Sequence, residues 1–123
     1  MVTSGVELII DAYDCDPLAL ASRERLIALI DRMTDDLHLI RLAEPVWHVF
    51  PEPGGITGLV LLSESHLAVH TFPESGFAAL NLYRCQRRPL TWQWEVHLRE
   101  ALGARRVEVR TIPRGSRGRG ALD

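Results

Sequence analysis

The chain contains no lysine, so all 14 of its Lys/Arg cations are arginine. A pyridoxal-phosphate enzyme holds its cofactor as a Schiff base on lysine. That chemistry is excluded here without help from another chain, and any amino-acid decarboxylation needs a different electron sink. Cysteine is scarce as well. Cys15 and Cys85 lie far apart and lack the spacing of a zinc site, so no metal is expected. No apolar run is long enough to span a membrane. The N-terminus has no basic region followed by an apolar stretch, which argues against a secretion signal. Both cysteines are therefore expected as reduced thiols in a cytoplasm. Neither sign of charge dominates: the formal net charge is −2, which gives no reason to expect nucleic acid as partner. A length of 123 residues suits one domain with a modest core.

What the chain does have is a crowded stretch from Leu62 to Glu74. It puts Ser63, Glu64, Ser65, His66, His70 and Glu74 into a short span. Gly58–Leu62 before it and Phe77–Tyr83 after it are short, apolar and bounded by Gly and Pro, as buried strands are. The polar cluster is thus expected in and around a tight connection between two strands, where a rigid sheet often holds chemistry. A plain turn rich in Ser and Glu has the same composition.

Val6–Tyr13 is expected as a first strand, followed by the acidic turn Asp14-Cys15-Asp16-Pro17. Pro17 suits the first turn of a helix, and the acids ahead of it suit the helix dipole. Leu26, Ile27, Leu29, Ile30 and Met33 fall near helical spacing, with Asp35-Asp36 expected past the last turn. Leu37 to Phe50 is expected as one long strand, broken or bulged near Glu44-Pro45, and Pro51–Gly55 as a loop. Gln86–Pro89 is a basic loop. A second helix is expected from an N-cap at Thr91 to about Leu102, with Gly103 as C-cap. Arg106–Ile112 alternates as a half-exposed strand. Residues 1–114 form the single domain, and 115–123 a flexible basic tail. The pattern is a two-layer α+β sandwich, a mainly antiparallel sheet with helices on one face.

The run Ser63-Glu64-Ser65-His66-Leu67, followed by Val69-His70-Thr71, Pro73-Glu74, Gly76-Phe77-Ala78-Ala79 and Cys85, resembles the small prokaryotic S-adenosylmethionine decarboxylases. These are pyruvoyl enzymes made as zymogens that cut themselves at a Glu-Ser bond. Ala12–Cys15 and Ala101–Val109 extend the likeness, which covers roughly Val6 to Arg114. It implies repeated βαββ units, a homodimer with active sites at the protomer interface, and a place in polyamine (spermidine) synthesis. No membrane partner is implied.

The resemblance implies self-cleavage between Glu64 and Ser65. The Ser65 hydroxyl attacks the Glu64 carbonyl, the amide becomes an ester, and elimination followed by hydrolysis leaves a pyruvoyl group in place of Ser65. This needs an acid/base and oxyanion donors. The resemblance gives the first role to His70, assisted by a hydroxyl at Thr57, where the family usually has serine. The pyruvoyl ketone would then hold the substrate α-amine as a Schiff base and accept the electron pair left by CO2. The resemblance makes Cys85 the acid that reprotonates the α-carbon, from a strand exit facing the same cleft. Cys15 is expected to be structural. His66 points to the opposite face from Ser65 in a regular strand and ranks below His70.

A sulfonium nucleoside wants aromatic faces and a carboxylate for its ribose. Phe72 and Glu74 stand where the family has its aromatic and glutamate, and Phe50 is a candidate second face. The chain departs from the family at Cys85-Gln86, where Cys-Gly is usual, and adds Glu52 near the site. Relatives on this scaffold resemble decarboxylases of ornithine or arginine, and Glu52 would suit their terminal cation. L-ornithine and L-arginine are thus alternative substrates. A non-catalytic relative acting as a ligand-binding dimer is the reading from another class.

Overall fold

Leu8, Ile10 and Ala12 alternate with residues that stay partly exposed, and the period of two dictates a strand. The computed structural model, which describes residues 5–85 and 91–115, places β1 at Gly5–Tyr13. The expected basic loop at Gln86–Pro89 and the tail beyond Gly115 lie outside the described residues. The Asp16 carboxylate then accepts from the Leu18 N–H at 3.0 Å, and Pro17 opens a short α1, Pro17–Leu20. Ser22 Oγ accepts from the Arg25 N–H at 3.2 Å and starts α2, Arg23–Asp36. Leu26, Leu29, Ile30 and Met33 are buried along one side of α2.

The remaining elements are β2 (Val46–Val49), β3 (Ile56–Leu61), β4 (Ser65–Phe72), β5 (Phe77–Arg84), α3 (Trp94–Leu102) and β6 (Arg106–Arg114). They form one six-stranded sheet in the order β2-β3-β4-β5-β1-β6, with every neighbouring pair antiparallel. The first half runs β-α-α-β-β and the second β-β-α-β. One sheet face carries Leu8, Ile10, Val60, Leu67, Val69 and Leu80, which pack with Leu26, Ile30, Trp94 and Leu98 of the helices in a single core. Among the described residues, no helix lies over the other face. Buried Thr71 ties the layers together: its Oγ1 accepts from the Ile56 N–H at 2.9 Å and donates to the Leu20 carbonyl at 2.8 Å. No helix among the described residues is long and apolar enough to cross a membrane.

Five expectations are corrected. The polar cluster is mostly a strand, because His66, Ala68, His70 and Phe72 alternate with Leu67, Val69 and Thr71; only Leu62–Glu64 make the tight connection. The long strand from Leu37 shrinks to β2. His38 takes a left-handed conformation (φ 54°), and Arg41 is drawn to α2, donating to Asp31 at 2.6 Å and to Thr34 at 2.8 Å. Asp35 and Asp36 close α2 from inside; Asp36 is compensated by the Trp92 indole N–H and Arg32 Nε, each at 2.9 Å. That indole bond, and the stacking of Trp92 on His97 (4.0 Å between ring centroids), keep Trp92 out of α3, whose N-cap is Gln93 rather than Thr91. Finally, β6 is an edge strand exposed along its length apart from partly buried Val107.

Candidate active site

The register of β3 on β4 sets Thr57 opposite His70 on the uncovered face. Thr57 Oγ1 lies 3.1 Å from His70 Nδ1, a hydrogen bond through which a hydroxyl and an imidazole can exchange a proton. The loop before β3 folds back on itself, with the Phe50 N–H donating to the Gly55 carbonyl and the Gly54 N–H to the Pro51 carbonyl, both at 2.8 Å. This turns Phe50 and Glu52 towards the end of β4, where Phe72 and Glu74 stand. Phe50, Glu52, Thr57, His70, Phe72 and Glu74 line one cavity of about 510 Å3. Both rings are substantially solvent-accessible, Phe50 by 49% and Phe72 by 40%, so each offers a face to a ligand.

The other end of β4 makes a second, smaller cavity of about 190 Å3, lined by Ser63, Glu64, Ser65, Arg84 and Cys85 together with His38–Ile40. The connection is tight: the Leu62 N–H donates to the Ser65 carbonyl at 3.0 Å, and the Ser63 N–H to the Ile40 carbonyl at 2.9 Å. Cys85 is exposed, one residue beyond β5. Cys85 is the first cause holding the nearby Tyr83 phenol above its ordinary value. Cys15, by contrast, is buried, and desolvation pushes its thiol up to about 11, as suits a structural residue.

Within one chain these two groups of residues do not meet. Ser65 and His70 stand five residues apart on one continuous strand, which is roughly 17 Å at 3.3–3.4 Å per residue. Their parity differs too: His70 shares the open face with His66, while Ser65 has the parity of Leu67 and Val69. Within one chain, the residues expected to share a cleft at the protomer interface therefore fall into two groups at opposite ends of β4. Glu64, Ser65 and Cys85 occupy one; Thr57, His70, Phe50, Glu52, Phe72 and Glu74 occupy the other.

Arg84 escaped the sequence reading. It is 6% exposed and lies directly opposite Ser65 in the β4–β5 register. A cation ending the buried stripe Ala78, Leu80, Leu82 was the available signal.

The sequence profile of the S-adenosylmethionine decarboxylase family matches residues 6–115. An S-adenosylmethionine decarboxylase proenzyme of Parasynechococcus marenigrum is 37% identical over 89% of this chain and 84% of its own. One of Thermotoga maritima is 35% identical over 94% of this chain and 87% of its own. The crystal structure of the adenosylmethionine decarboxylase of Aquifex aeolicus superposes with a TM-score of 0.80 at 25% identity, covering 94% of both chains. With a match over nearly its whole length, the chain belongs to the S-adenosylmethionine decarboxylase family.

Proposed function

We propose that the protein is a self-cleaving, pyruvoyl-dependent S-adenosylmethionine decarboxylase of spermidine synthesis, working in the cytoplasm as a homodimer with two composite sites. The observation that carries this reading is the division of the machinery between the two ends of β4. Each half-site lacks what the other holds. A two-fold axis between two stacked open faces, perpendicular to the strands, reverses β4 and sets the Ser65 end of one copy against the His70 end of the other. The open face suits such stacking: it carries exposed Val46, Leu59, Leu61 and Phe72 on one side and the charged β1 and β6 residues on the other.

The residues fit a pyruvoyl precursor. Ser65 opens β4 directly after the tight connection, its preceding carbonyl belongs to Glu64, and both face a cavity large enough for the rearrangement. The group formed from Ser65 supplies an electrophilic ketone that condenses with an α-amine and takes up the electron pair left by CO2. The other tasks fall to side chains. His70, hydrogen-bonded to Thr57, moves the protons of self-cleavage. Cys85 Sγ, exposed just beyond β5, holds the proton returned to the substrate α-carbon. Phe50 and Phe72 sandwich the adenine, and Glu74 accepts from the ribose hydroxyls.

Glu52 supports a second reading, since it adds a carboxylate to the Glu74 cavity and would suit the terminal cation of ornithine or arginine. The test is CO2 release from labelled S-adenosylmethionine, ornithine and arginine side by side, on protein whose intact mass is recorded first. The expected result is two fragments, split between Glu64 and Ser65, and fastest release from S-adenosylmethionine. Faster turnover of a diamino acid would reverse the substrate assignment, and a fully active uncut chain would remove the pyruvoyl assignment.

A further inference from the structure

We propose that Arg84 is the anion-binding group of self-cleavage: its guanidinium receives the carboxylate that Glu64 becomes when the chain parts. This rests on the self-processing reading above and names a residue that reading leaves without a role. Arg84 is 6% exposed, so its charge sits where water screens it little. It is the Cα partner of Ser65 in the β4–β5 register, and directly opposed residues have Cβ atoms about 4.5–5.5 Å apart on the same face. It lines the small cavity together with Glu64 and Ser65. A guanidinium carries its N–H donors in a fixed fork that matches a carboxylate in two parallel bonds.

The chemistry creates an anion at that place. Ser65 Oγ adds to the Glu64 carbonyl carbon and the C–N bond breaks, leaving an ester and a free amine. A base then removes the Ser65 Cα proton, a Cα=Cβ double bond forms, and the Cβ–Oγ bond breaks. Its electron pair leaves on Oγ, now one oxygen of the Glu64 α-carboxylate. Water finally hydrolyses the dehydroalanine to the keto group and ammonia. Negative charge thus appears on Glu64 in the elimination, and a preorganised guanidinium lowers that barrier most. The substrate carboxylate is a poorer partner, because an ion pair there stabilises the group that must depart as neutral CO2.

The test follows cleavage by intact mass in wild type, Arg84→Gln, Arg84→Lys and Arg84→Ala, with and without hydroxylamine, which opens esters but spares amides. Loss of one preorganised donor group predicts cleavage slower by about 10²-fold in Arg84→Gln. The stalled full-length chain should be split by hydroxylamine at Glu64. Arg84→Lys should recover part of the rate, and added methylguanidinium should speed Arg84→Ala, which also shows that variant to be folded. Wild-type rates in Arg84→Gln would overturn the proposal, as would a stalled chain that resists hydroxylamine or fails to respond to methylguanidinium. An uncut wild-type chain would instead remove the self-processing reading beneath it.

Discussion

The two cysteines sit in opposite environments. Cys15 is buried, and desolvation, followed by the charge of Asp14, pushes its thiol up to about 11. Cys85 stands exposed at the end of β5. Iodoacetamide at mildly alkaline pH should therefore alkylate Cys85 in the native protein and abolish CO2 release, leaving Cys15 untouched until denaturation. Peptide mapping checks this, and equal labelling of both thiols would contradict it. The pH dependence follows from the same burial. The folded state keeps the Cys15 proton where the unfolded chain has lost it, so between the ordinary thiol value of 9.0 and about 11 the native state binds more protons. Stability should thus decline with rising pH across that window, and Cys15→Ala should flatten the decline. The roles proposed for Ser65, His70 and Cys85 could be assigned from the chain because these residues keep a recognisable order and spacing. Their separation was not, since it depends on residues 65–72 being one uninterrupted strand.

Among the elements, β4 matters most, and its neighbours hold its register. Gly58 of β3 lies beneath Trp47 of β2, its register partner; an added Cβ would stand 2.4 Å from Trp47 Cζ3 and 2.7 Å from Cε3. The indole or the strand must then shift. Gly58→Ala should cost about 1–3 kcal/mol. That lowers Tm by roughly 4 °C or more in a domain of this size, read by thermal denaturation. An unchanged Tm would mean that Trp47 does not pack there. Since Gly58 neighbours Thr57, the same variant should also slow self-cleavage by loosening the Thr57–His70 pair. The helices and most strands were legible from period and caps: Pro17, Gly103 and the alternation of β1 and β5 all act locally. The miscalled segments answer to distant partners. Arg41 reaching α2 and Trp92 reaching Asp36 are contacts that no local pattern encodes.

At the scale of the whole molecule, one face of the sheet is finished and the other is not. The helices bury one side. On the other, apolar residues of β2, β3 and β4 lie beside a charged strip in which Asp11 meets Arg110 at 3.3 Å, and Glu7 meets both Asn81 and Arg114. The Asn81 amide, ahead of Arg114, holds the Glu7 carboxyl below its ordinary value, so Glu7 stays ionised at neutral pH. A second copy on that face would bury the apolar side and complete each half-site, in keeping with the dimer that the family resemblance implies. Co-expression of Ser65→Ala and His70→Ala chains, distinguished by mass, tests this most directly. Each variant alone should stay whole or cleave very slowly. In mixed dimers the His70→Ala chain brings its own Ser65 to the intact His70 of the partner subunit, so that chain should be found cut after Glu64. If the His70→Ala chain stays uncut in purified mixed dimers, or cuts as fast alone as in company, the composite site is contradicted.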